Sequence, residues 1–160
     1  MRKITVWSGA ASGVDQAALL VASVLGLQTG GFVTRGCRTQ SGFRPELIQR
    51  YHLTEIDSQN YKDRTWLNVQ HTDATLRIFY YKNSPGEICT LKAIKIYNKP
   101  HLDVDLENPI SPRLVARWIE GLDIRILNVA GNSESSFSGI GKIAEKYLME
   151  VFTELLWPKK

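Results

Sequence analysis

The sequence has few cysteines, no membrane-length apolar run and no low-complexity segment, and each absence excludes a class of protein. Only Cys37 and Cys89 occur in 160 residues, which favours free thiols in a reducing cytoplasm over a disulfide-stabilised secreted protein. No apolar run approaches the ~20 residues that a membrane-spanning helix needs. The first residues lead into a short strand pattern rather than into the apolar core of a signal peptide. We therefore expect a soluble, cytoplasmic protein without a membrane partner.

Histidine is also scarce, and the excess of basic residues is small. His52, His71 and His101 lie far apart and lack metal-site spacing with either cysteine, so we predict no metal site. A formal net charge of +4 favours a small anionic ligand over nucleic acid, which needs a stronger and clustered basic surface. The length is about that of one domain, so we predict that residues 1–160 form a single domain.

Apolar residues alternate between strand-like and helix-like spacing along the chain. We predict strands at 4–7, 29–33, 74–81, 101–105 and 125–130, and helices at 14–25, 63–71, 90–97, 112–121 and 140–156. Repeated strand–helix units with right-handed crossovers produce a parallel sheet. We therefore predict an α/β fold, with a mostly parallel sheet of about five strands and helices on both faces. In such a fold, ligands bind beyond the carboxyl ends of the strands.

A turn of small residues between the first strand and the first helix is the strongest candidate for a binding site. The candidate residues are Gly9, Ala10, Ala11, Ser12, Gly13 and the following Asp15. Gly9 and Gly13 allow tight or positive-φ backbone, and the helix directs its unpaired N–H groups and positive dipole end at the turn. Ser12 and Asp15 have the spacing of a helix-capping pair. The turn predicts a phosphate cradle, and an ordinary strand-to-helix connection is the alternative.

Two further loops that follow predicted strands are rich in serine and glycine. They span residues 82–86 and 131–139, and their candidate ligand-binding residues are Ser84, Gly86, Gly131, Ser133, Glu134 and Ser135. Hydroxyl and free backbone N–H groups bind sugar phosphates and other oxyanions, and both loops lead into helix N-termini. We expect both loops to meet the first turn at one edge of the sheet. For residues 131–139, a solvated turn is the alternative.

Several basic residues are candidates for contacting a phosphate. Arg35, Arg38 and Arg44 share one loop, which is either a phosphate clamp or a solvated basic segment, and both interpretations remain open. Arg64 and Asn68 lie one helical turn apart on a common face. They either line the pocket or cap neighbouring strand ends, and we favour the pocket.

Four groups of residues together resemble the molybdenum cofactor carrier family. They are the Ser-Gly-x-x-Ser-Gly-Val-Asp run at 8–15, Thr-Gly-Gly-Phe at 29–32, the Tyr61, Arg64, Thr65, Asn68 and Asp73 pattern, and Leu-Asn-Val-Ala-Gly-x-x-Glu-Ser at 127–135. The resemblance covers nearly the whole chain. It implies a Rossmann-like fold, related to lysine-decarboxylase-like, cytokinin-activating and DNA-processing nucleotide-binding proteins. It also implies a homo-oligomer and adds Gly31 to the candidate ligand-binding residues.

The same resemblance implies the class of ligand. It suggests a small phosphorylated heterocycle, either the molybdenum cofactor (molybdopterin) or a nucleotide. The final helix carries Tyr147, Phe152 and Trp157, which exceed what one small core can cover and independently favour a homo-oligomer.

The loop after the third predicted strand departs from the pattern of related enzymes. Related phosphoribohydrolases carry Pro-Gly-Gly-x-Gly-Thr-x-x-Glu, and residues 85–93 match it only at Pro85, Gly86 and Thr90. Ala93 stands where the resemblance implies the catalytic glutamate. We therefore favour a binding or carrier protein over an enzyme.

Two carboxylates near these loops bear on that choice. Glu87 places a negative charge beside the expected phosphate pocket, which opposes anion binding unless the side chain turns outward or meets a cation. Glu134 is the best remaining candidate for a catalytic carboxylate at the strand ends. A nucleotide-processing hydrolase, similar to the phosphoribohydrolases, is therefore the alternative function.

Overall fold

A computed structural model describes residues 3–159, so Met1, Arg2 and Lys160 of the predicted 1–160 domain lie outside the described residues. The strands are β1 (Thr5–Trp7), β2 (Gln28–Gly30), β3 (Phe32–Val33), β4 (Arg38–Thr39), β5 (Gly42–Phe43), β6 (Thr54–Glu55), β7 (Ala74–Phe79), β8 (His101–Asp105) and β9 (Ile126–Gly131). The helices are α1 (Val14–Val24), α2 (Glu46–Arg50), α3 (Tyr61–Gln70), α4 (Pro85–Tyr97), α5 (Pro112–Gly121) and α6 (Ile140–Leu156).

Five of these strands form one parallel sheet in the order β2-β1-β9-β7-β8. Thr5 pairs with both Gln28 and Ile126, so β1 lies between β2 and β9. Ala74 pairs with Leu127, which places β7 on the other side of β9. The predicted Rossmann-like α/β fold with a five-stranded parallel sheet is confirmed.

The helices cover both faces of the sheet because successive connections run toward opposite edges of it. From β1, α1 leads outward to β2, whereas α4 leads from β7 outward to β8. Right-handed crossovers place these two helices on opposite faces. α1 and α5 both pack on α6, while α3 packs on α4. Every residue of β7 is buried, as expected for a strand that is covered on both faces.

Local sequence signals fix several helix ends. Ser111 is the N-cap of α5 and Pro112 is its first residue, as predicted. Ser84 and Pro85 start α4 in the same way, and Ser84 Oγ accepts a hydrogen bond from the Glu87 N–H. The prediction of a loop through residue 86 and a helix from residue 90 therefore started the helix too late.

The predicted second strand, residues 29–33, is wrong as a single element. It is divided at Gly31 into β2, which joins the main sheet, and β3, which pairs with β6 in a small separate sheet. Gly31 has φ 134°, and a Cβ there would lie 2.1 Å from the Ser8 carbonyl oxygen. Only glycine allows this close approach, so Gly31 serves backbone packing and does not line the cavity described below.

Residues 34–60, which gave no periodic signal, form a compact subdomain around a second apolar cluster. A hairpin of β4 and β5 precedes α2 and β6. The buried members of the cluster are Ala10, Leu19, Val33, Cys37, Leu47, Tyr51 and Leu53. Ala10 belongs both to this cluster and to the turn after β1, so the cluster fixes the hairpin beside that turn.

Asn132, directly after β9, connects the loops that follow β9 and β7. Its Oδ1 accepts hydrogen bonds from the N–H groups of Tyr80 and Tyr81, at 2.8 and 2.9 Å, and its Nδ2 donates to the Tyr81 carbonyl at 2.9 Å. The residue is buried, so these bonds replace water for three backbone groups.

We predict that Asn132→Ala lowers the free energy of unfolding by about 2–4 kcal/mol, because it leaves buried backbone N–H groups without an acceptor. Asn83→Ala, at an exposed position in the neighbouring loop, should change it by no more than about 0.5 kcal/mol. Urea denaturation of both variants measures the difference. Equal stability of the two variants would contradict this role for Asn132.

Candidate functional site

A cavity of about 460 Å³ opens beyond the carboxyl ends of β1, β9 and β7. The connection from β1 leads to one edge of the sheet and the connection from β7 leads to the other, with β9 between them. Open α/β sheets bind ligands at such switch points. All three predicted loops reach the cavity: Ala11 lines it from the first, Ser84 and Gly86 from the second, and Gly131 and Ser133 from the third. The structure thus brings the three loops together, and their role in binding a ligand stays a prediction.

The first turn already holds an anion of the protein itself. Asp15 Oδ2 accepts a hydrogen bond from the Ala11 N–H at 3.3 Å, and the Ala10 N–H donates to Ser8 Oγ. Burial raises the pKa of Asp15 to about 6, against the lowering effects of Arg64 and of the Ala11 and Gly9 N–H groups. The Asp15 carboxyl therefore occupies part of the predicted phosphate cradle.

Ser12 and Gly13 contact the third loop and do not line the cavity. Ser12 Oγ donates to Gln40 Oε1 at 2.5 Å and accepts from the Glu134 N–H at 3.2 Å. The N-cap of α1 is Gly13, with no side-chain hydrogen bond, so the predicted Ser12–Asp15 capping pair is wrong. Gly13 has φ 86°, and a Cβ there would lie 2.4 Å from the Asn132 carbonyl oxygen. Its lack of a side chain admits the neighbouring loop.

Arg64 is the predicted basic residue that the structure places in the cavity. Its Nη1 lies 3.5 Å from Asp15 Oδ2 and 3.2 Å from Thr65 Oγ1. A Cβ at Gly9 would lie 2.2 Å from the same Nη1, so Gly9 makes room for the guanidinium group. The guanidinium carbon lies 5.3 Å from the centroid of the Tyr61 ring, and Tyr61 also lines the cavity.

The N-terminus of α4 is a second helix end at the cavity, and it is more open than the first. Ser84, Pro85 and Gly86 all line the cavity. A Cβ at Gly86 would have no atom within 4 Å. Thr90, which also lines the cavity, donates from Oγ1 to the Gly86 carbonyl at 3.0 Å. Pro85 has no N–H and the Glu87 N–H already donates to Ser84 Oγ, so this helix end offers a bound anion its positive dipole end and the Gly86 N–H.

Glu87 turns inward from the first turn of α4. The residue is 2% exposed and lines the cavity, and its Oε1 has no hydrogen-bond partner. Burial raises the pKa of Glu87 to about 8, with Arg77 opposing that rise and Asp15 and Asp103 adding to it. Arg77 itself pairs with Asp103 at 2.9 Å. Arg77, the cation near Glu87, is therefore shared with Asp103. With a pKa of about 8, the Glu87 carboxyl group is mostly protonated and uncharged at neutral pH.

The third loop supplies hydroxyl groups that one side chain holds in place. Gln40 Nε2 donates to Ser133 Oγ at 2.9 Å and to Ser135 Oγ at 2.7 Å, and Ser136 lies within hydrogen-bond distance of Ser133. Ser133, Ser135, Ser136 and Gln40 all line the cavity. The serine-rich loop is thus fixed in place rather than merely solvated.

Nine of the predicted ligand-binding residues lie outside the cavity lining: Gly9, Ala10, Ser12, Gly13, Gly31, Arg35, Arg38, Asn68 and Glu134. Arg35 pairs with Asp57 on the surface. The guanidinium carbon of Arg38 lies over the Tyr61 ring, 4.6 Å from its centroid. Asn68 is buried and exchanges two hydrogen bonds with the backbone of Phe32, at 2.7 and 3.0 Å. Asn68 therefore holds a strand end, which is the interpretation that we did not favour.

Neither of the two positions considered for a catalytic carboxylate places one in the cavity. Glu134 caps α6, because its Oε1 and Oε2 accept hydrogen bonds from the N–H groups of Gly139 and Gly141 at 2.9 and 2.7 Å. It does not line the cavity. Ala93 is fully buried in the α3–α4 cluster, beside Val69.

Sequence reasoning missed several residues that line the cavity: Thr39, Gln40, Tyr61, Lys62, Thr65, Cys89 and Ser136. Tyr61, Thr65 and Ser136 lie within segments that the sequence had already singled out, so their position there was a usable signal. No sequence signal marked Thr39 and Gln40 as site residues, because only the tertiary fold brings the β4–β5 hairpin to the third loop.

Both the sequence and the fold match known proteins. The sequence pattern of the circularly permutated YpsA SLOG family matches residues 6–152. The chain belongs to this family. Its structure is similar to the 1.45 Å crystal structure of a "Putative molybdenum carrier protein" from Syntrophus aciditrophicus SB, with a TM-score of 0.83, 32% identity and 94% of each chain covered. No curated protein matches the sequence.

These findings confirm the resemblance that the motifs suggested. In this member of the SLOG family, no helix within residues 3–159 has the length and apolar character needed to cross a membrane. Over the same residues, no three side chains of His, Cys, Asp or Glu are grouped so that they could hold a metal ion.

We predict that the stability of the protein falls as pH rises, in part through Glu87. Its pKa is about 8 in the folded protein against an ordinary value of 4.5, so the folded state binds this proton more tightly. The resulting stabilisation is complete below about pH 4.5 and is lost as pH rises toward about 8. Thermal unfolding of Glu87→Gln should therefore match wild type near pH 5 and exceed it by about 2–4 kcal/mol near pH 8. A parallel pH dependence of the two proteins would contradict the assignment.

Proposed function

We propose that this protein binds or carries a small phosphorylated heterocycle in the cavity at the ends of β1, β9 and β7. The observation that carries the proposal is that the N-terminal residues of α4, a cluster of serines and Arg64 all line one cavity. Each of these groups donates hydrogen bonds to an oxyanion. The position of the cavity at the switch point of the sheet supports the same interpretation.

In this proposal the phosphate lies against α4 and the third loop. Ser84, Gly86, Ser133, Ser135 and Ser136 supply the neutral donors. Arg64 supplies hydrogen-bond donors and positive charge, although the neighbouring Asp15, whose pKa of about 6 leaves it mostly ionised at neutral pH, offsets much of that charge. Lys62, the residue after Tyr61 in α3, also lines the cavity and adds a second cation there. The proposed site therefore has donors on two sides of the ligand.

The heterocycle has room on the remaining side. A volume of about 460 Å³ falls within the range of roughly 300–1,000 Å³ that small-molecule sites occupy. The Tyr61 ring and the half-buried Cys89 present weakly polar surface there. Tyr61 is stiffened by the Arg38 guanidinium over its ring, at 4.6 Å from the centroid. A planar ring stacks favourably on such a surface.

The molybdenum cofactor is the first candidate for the cargo, and a nucleotide is the second. The structural neighbour is described as a molybdenum carrier, and the two chains cover each other over 94% of their lengths. Both ligands combine a phosphate with a planar heterocycle, so the same donors serve either. As cargo, the cofactor needs binding groups for its phosphate and pterin rather than a built-in metal site.

The alternative function is a nucleotide-processing hydrolase. Its expected glutamate position is the core residue Ala93, and Glu134 caps α6, which both weigh against it. One observation favours the hydrolase: Asp15 and Glu87 line the same cavity, and their pKa values are raised to about 6 and about 8. Two carboxyls held in different protonation states resemble an acid and base pair.

We predict that Arg64→Gln weakens binding of AMP by about 10- to 100-fold, because it removes a charge-assisted contact to the phosphate. Arg35→Gln is the matched control, since Arg35 pairs with Asp57 on the surface and does not line the cavity. It should leave the affinity unchanged. Calorimetric titration measures both, with circular dichroism to verify folding. Equal affinities for Arg64→Gln and wild type would refute the proposed phosphate site.

We predict that native mass spectrometry of freshly purified protein shows a bound phosphorylated molecule, as expected for a carrier. The same spectra test the predicted homo-oligomer, since a monomer has a mass of 18.1 kDa. Tyr147 and Phe152 are buried in the core, so of the three aromatic residues that suggested assembly only Trp157 is exposed. Ligand-free protein that releases the base from AMP would instead establish the hydrolase.

A further inference from the structure

Glu87 has an unsatisfied polar atom at the proposed ligand site. Within residues 3–159, four buried side-chain nitrogen or oxygen atoms lack a hydrogen-bond partner: Arg38 Nε, Trp66 Nε1, Arg77 Nε and Glu87 Oε1. Of these four residues, only Glu87 lines the cavity. A buried polar atom without a partner costs free energy, so one that adjoins a cavity suggests that a ligand completes it.

The charged groups around Glu87 lie on four elements. Arg77 on β7 is the opposing cation, and it is already paired with Asp103 on β8. Asp15 on α1 adds negative charge from the other side of β9. Arg64 and Lys62 on α3 line the same cavity. Because burial and two acids outweigh one shared arginine, the pKa of Glu87 rises to about 8.

Asp15 and Glu87 occupy similar positions but differ in their partners. Each lies in the first turn of a helix, and the two helices follow the strands on either side of β9. Asp15 accepts a hydrogen bond from the Ala11 N–H and lies 3.5 Å from Arg64. Glu87 Oε1 has neither kind of partner. The Asp15 carboxyl is thus partnered within the chain, whereas the Glu87 carboxyl keeps one oxygen without a partner.

We propose that Glu87 binds the ligand as an uncharged acid, donating its carboxyl O–H to an oxyanion oxygen held at the N-terminus of α4. The inference rests on the proposed function. It resolves the conflict that the sequence raised, since a protonated carboxyl supplies a donor where a carboxylate would repel the anion. Ionisation of Glu87 then removes the donor and adds a repelling charge together. Anion binding is therefore coupled to a proton and weakens as pH rises.

Titration with sulfate and with molybdate at about pH 7, 8 and 9 tests the proposal, because both anions keep a charge of −2 over this range. Wild-type affinity should fall about tenfold or more between about pH 7 and pH 9. Glu87→Gln keeps an N–H donor but does not titrate, so its affinity should stay constant over the range. Glu107→Gln makes the same change at an exposed position away from the cavity and should keep the wild-type pH dependence.

The outcomes separate this inference from the proposed function. Constant wild-type affinity, or the same fall in Glu87→Gln, overturns the role of Glu87 and leaves the binding site standing. No binding at any pH, or binding that Arg64→Gln does not weaken, overturns the proposed phosphate site and this inference with it. Circular dichroism at each pH verifies that every variant is folded.

Discussion

The meeting of two helix N-termini at the end of one central strand is the constraint on which the rest of this structure depends. Because β9 lies between β1 and β7, the helices that follow those two strands start on either side of it. Two positive dipole ends then face one cavity, and negative groups are favoured at both. The protein supplies its own at α1 through Asp15, whose carboxyl accepts the Ala11 N–H. At α4, Glu87 is present but has no partner for Oε1. Under the proposed function, this difference between the two carboxyl groups favours α4 as the place for an external anion.

Glycines in the loops serve contacts within the chain more than contacts with a ligand. Gly13 admits the backbone of Asn132, Gly31 admits that of Ser8, and Gly9 admits the Arg64 side chain. A small-residue turn after the first strand is therefore compatible with a phosphate cradle and also with tight loop packing, and the sequence alone does not distinguish them. Here the packing has a functional consequence, since it holds Arg64 and the third loop against the cavity. Gln40 completes this arrangement by fixing Ser133 and Ser135.

Membership of the SLOG family limits the chemistry without naming the ligand. Ala93 aligns with the catalytic glutamate of phosphoribohydrolases and packs in the core. Glu87 aligns with one of their glycines and lines the cavity. The proposed site combines hydroxyls, an arginine beside the ionised Asp15 and an uncharged acid, a set of groups that suits reversible capture of an anion. That property is the one a carrier needs, because cargo must also be released.

The sequence by itself determined the elements and their order, because strand and helix periodicities and the Ser-Pro and glycine signals at helix ends are local. It located the five-stranded parallel sheet, α5 and α6, and the three loops at the cavity. Tertiary structure decided the rest. Residues 34–60 gave no periodic signal, since their short strands are held by long-range packing around Leu47 and Tyr51. Asn68 and Glu134 carry side chains that suit a ligand, yet their partners are backbone groups distant in sequence or at a helix start. Which way Glu87 turns, and how far its charge is suppressed, depended on Arg77, Asp103 and Asp15 meeting across the sheet, which no local pattern encodes.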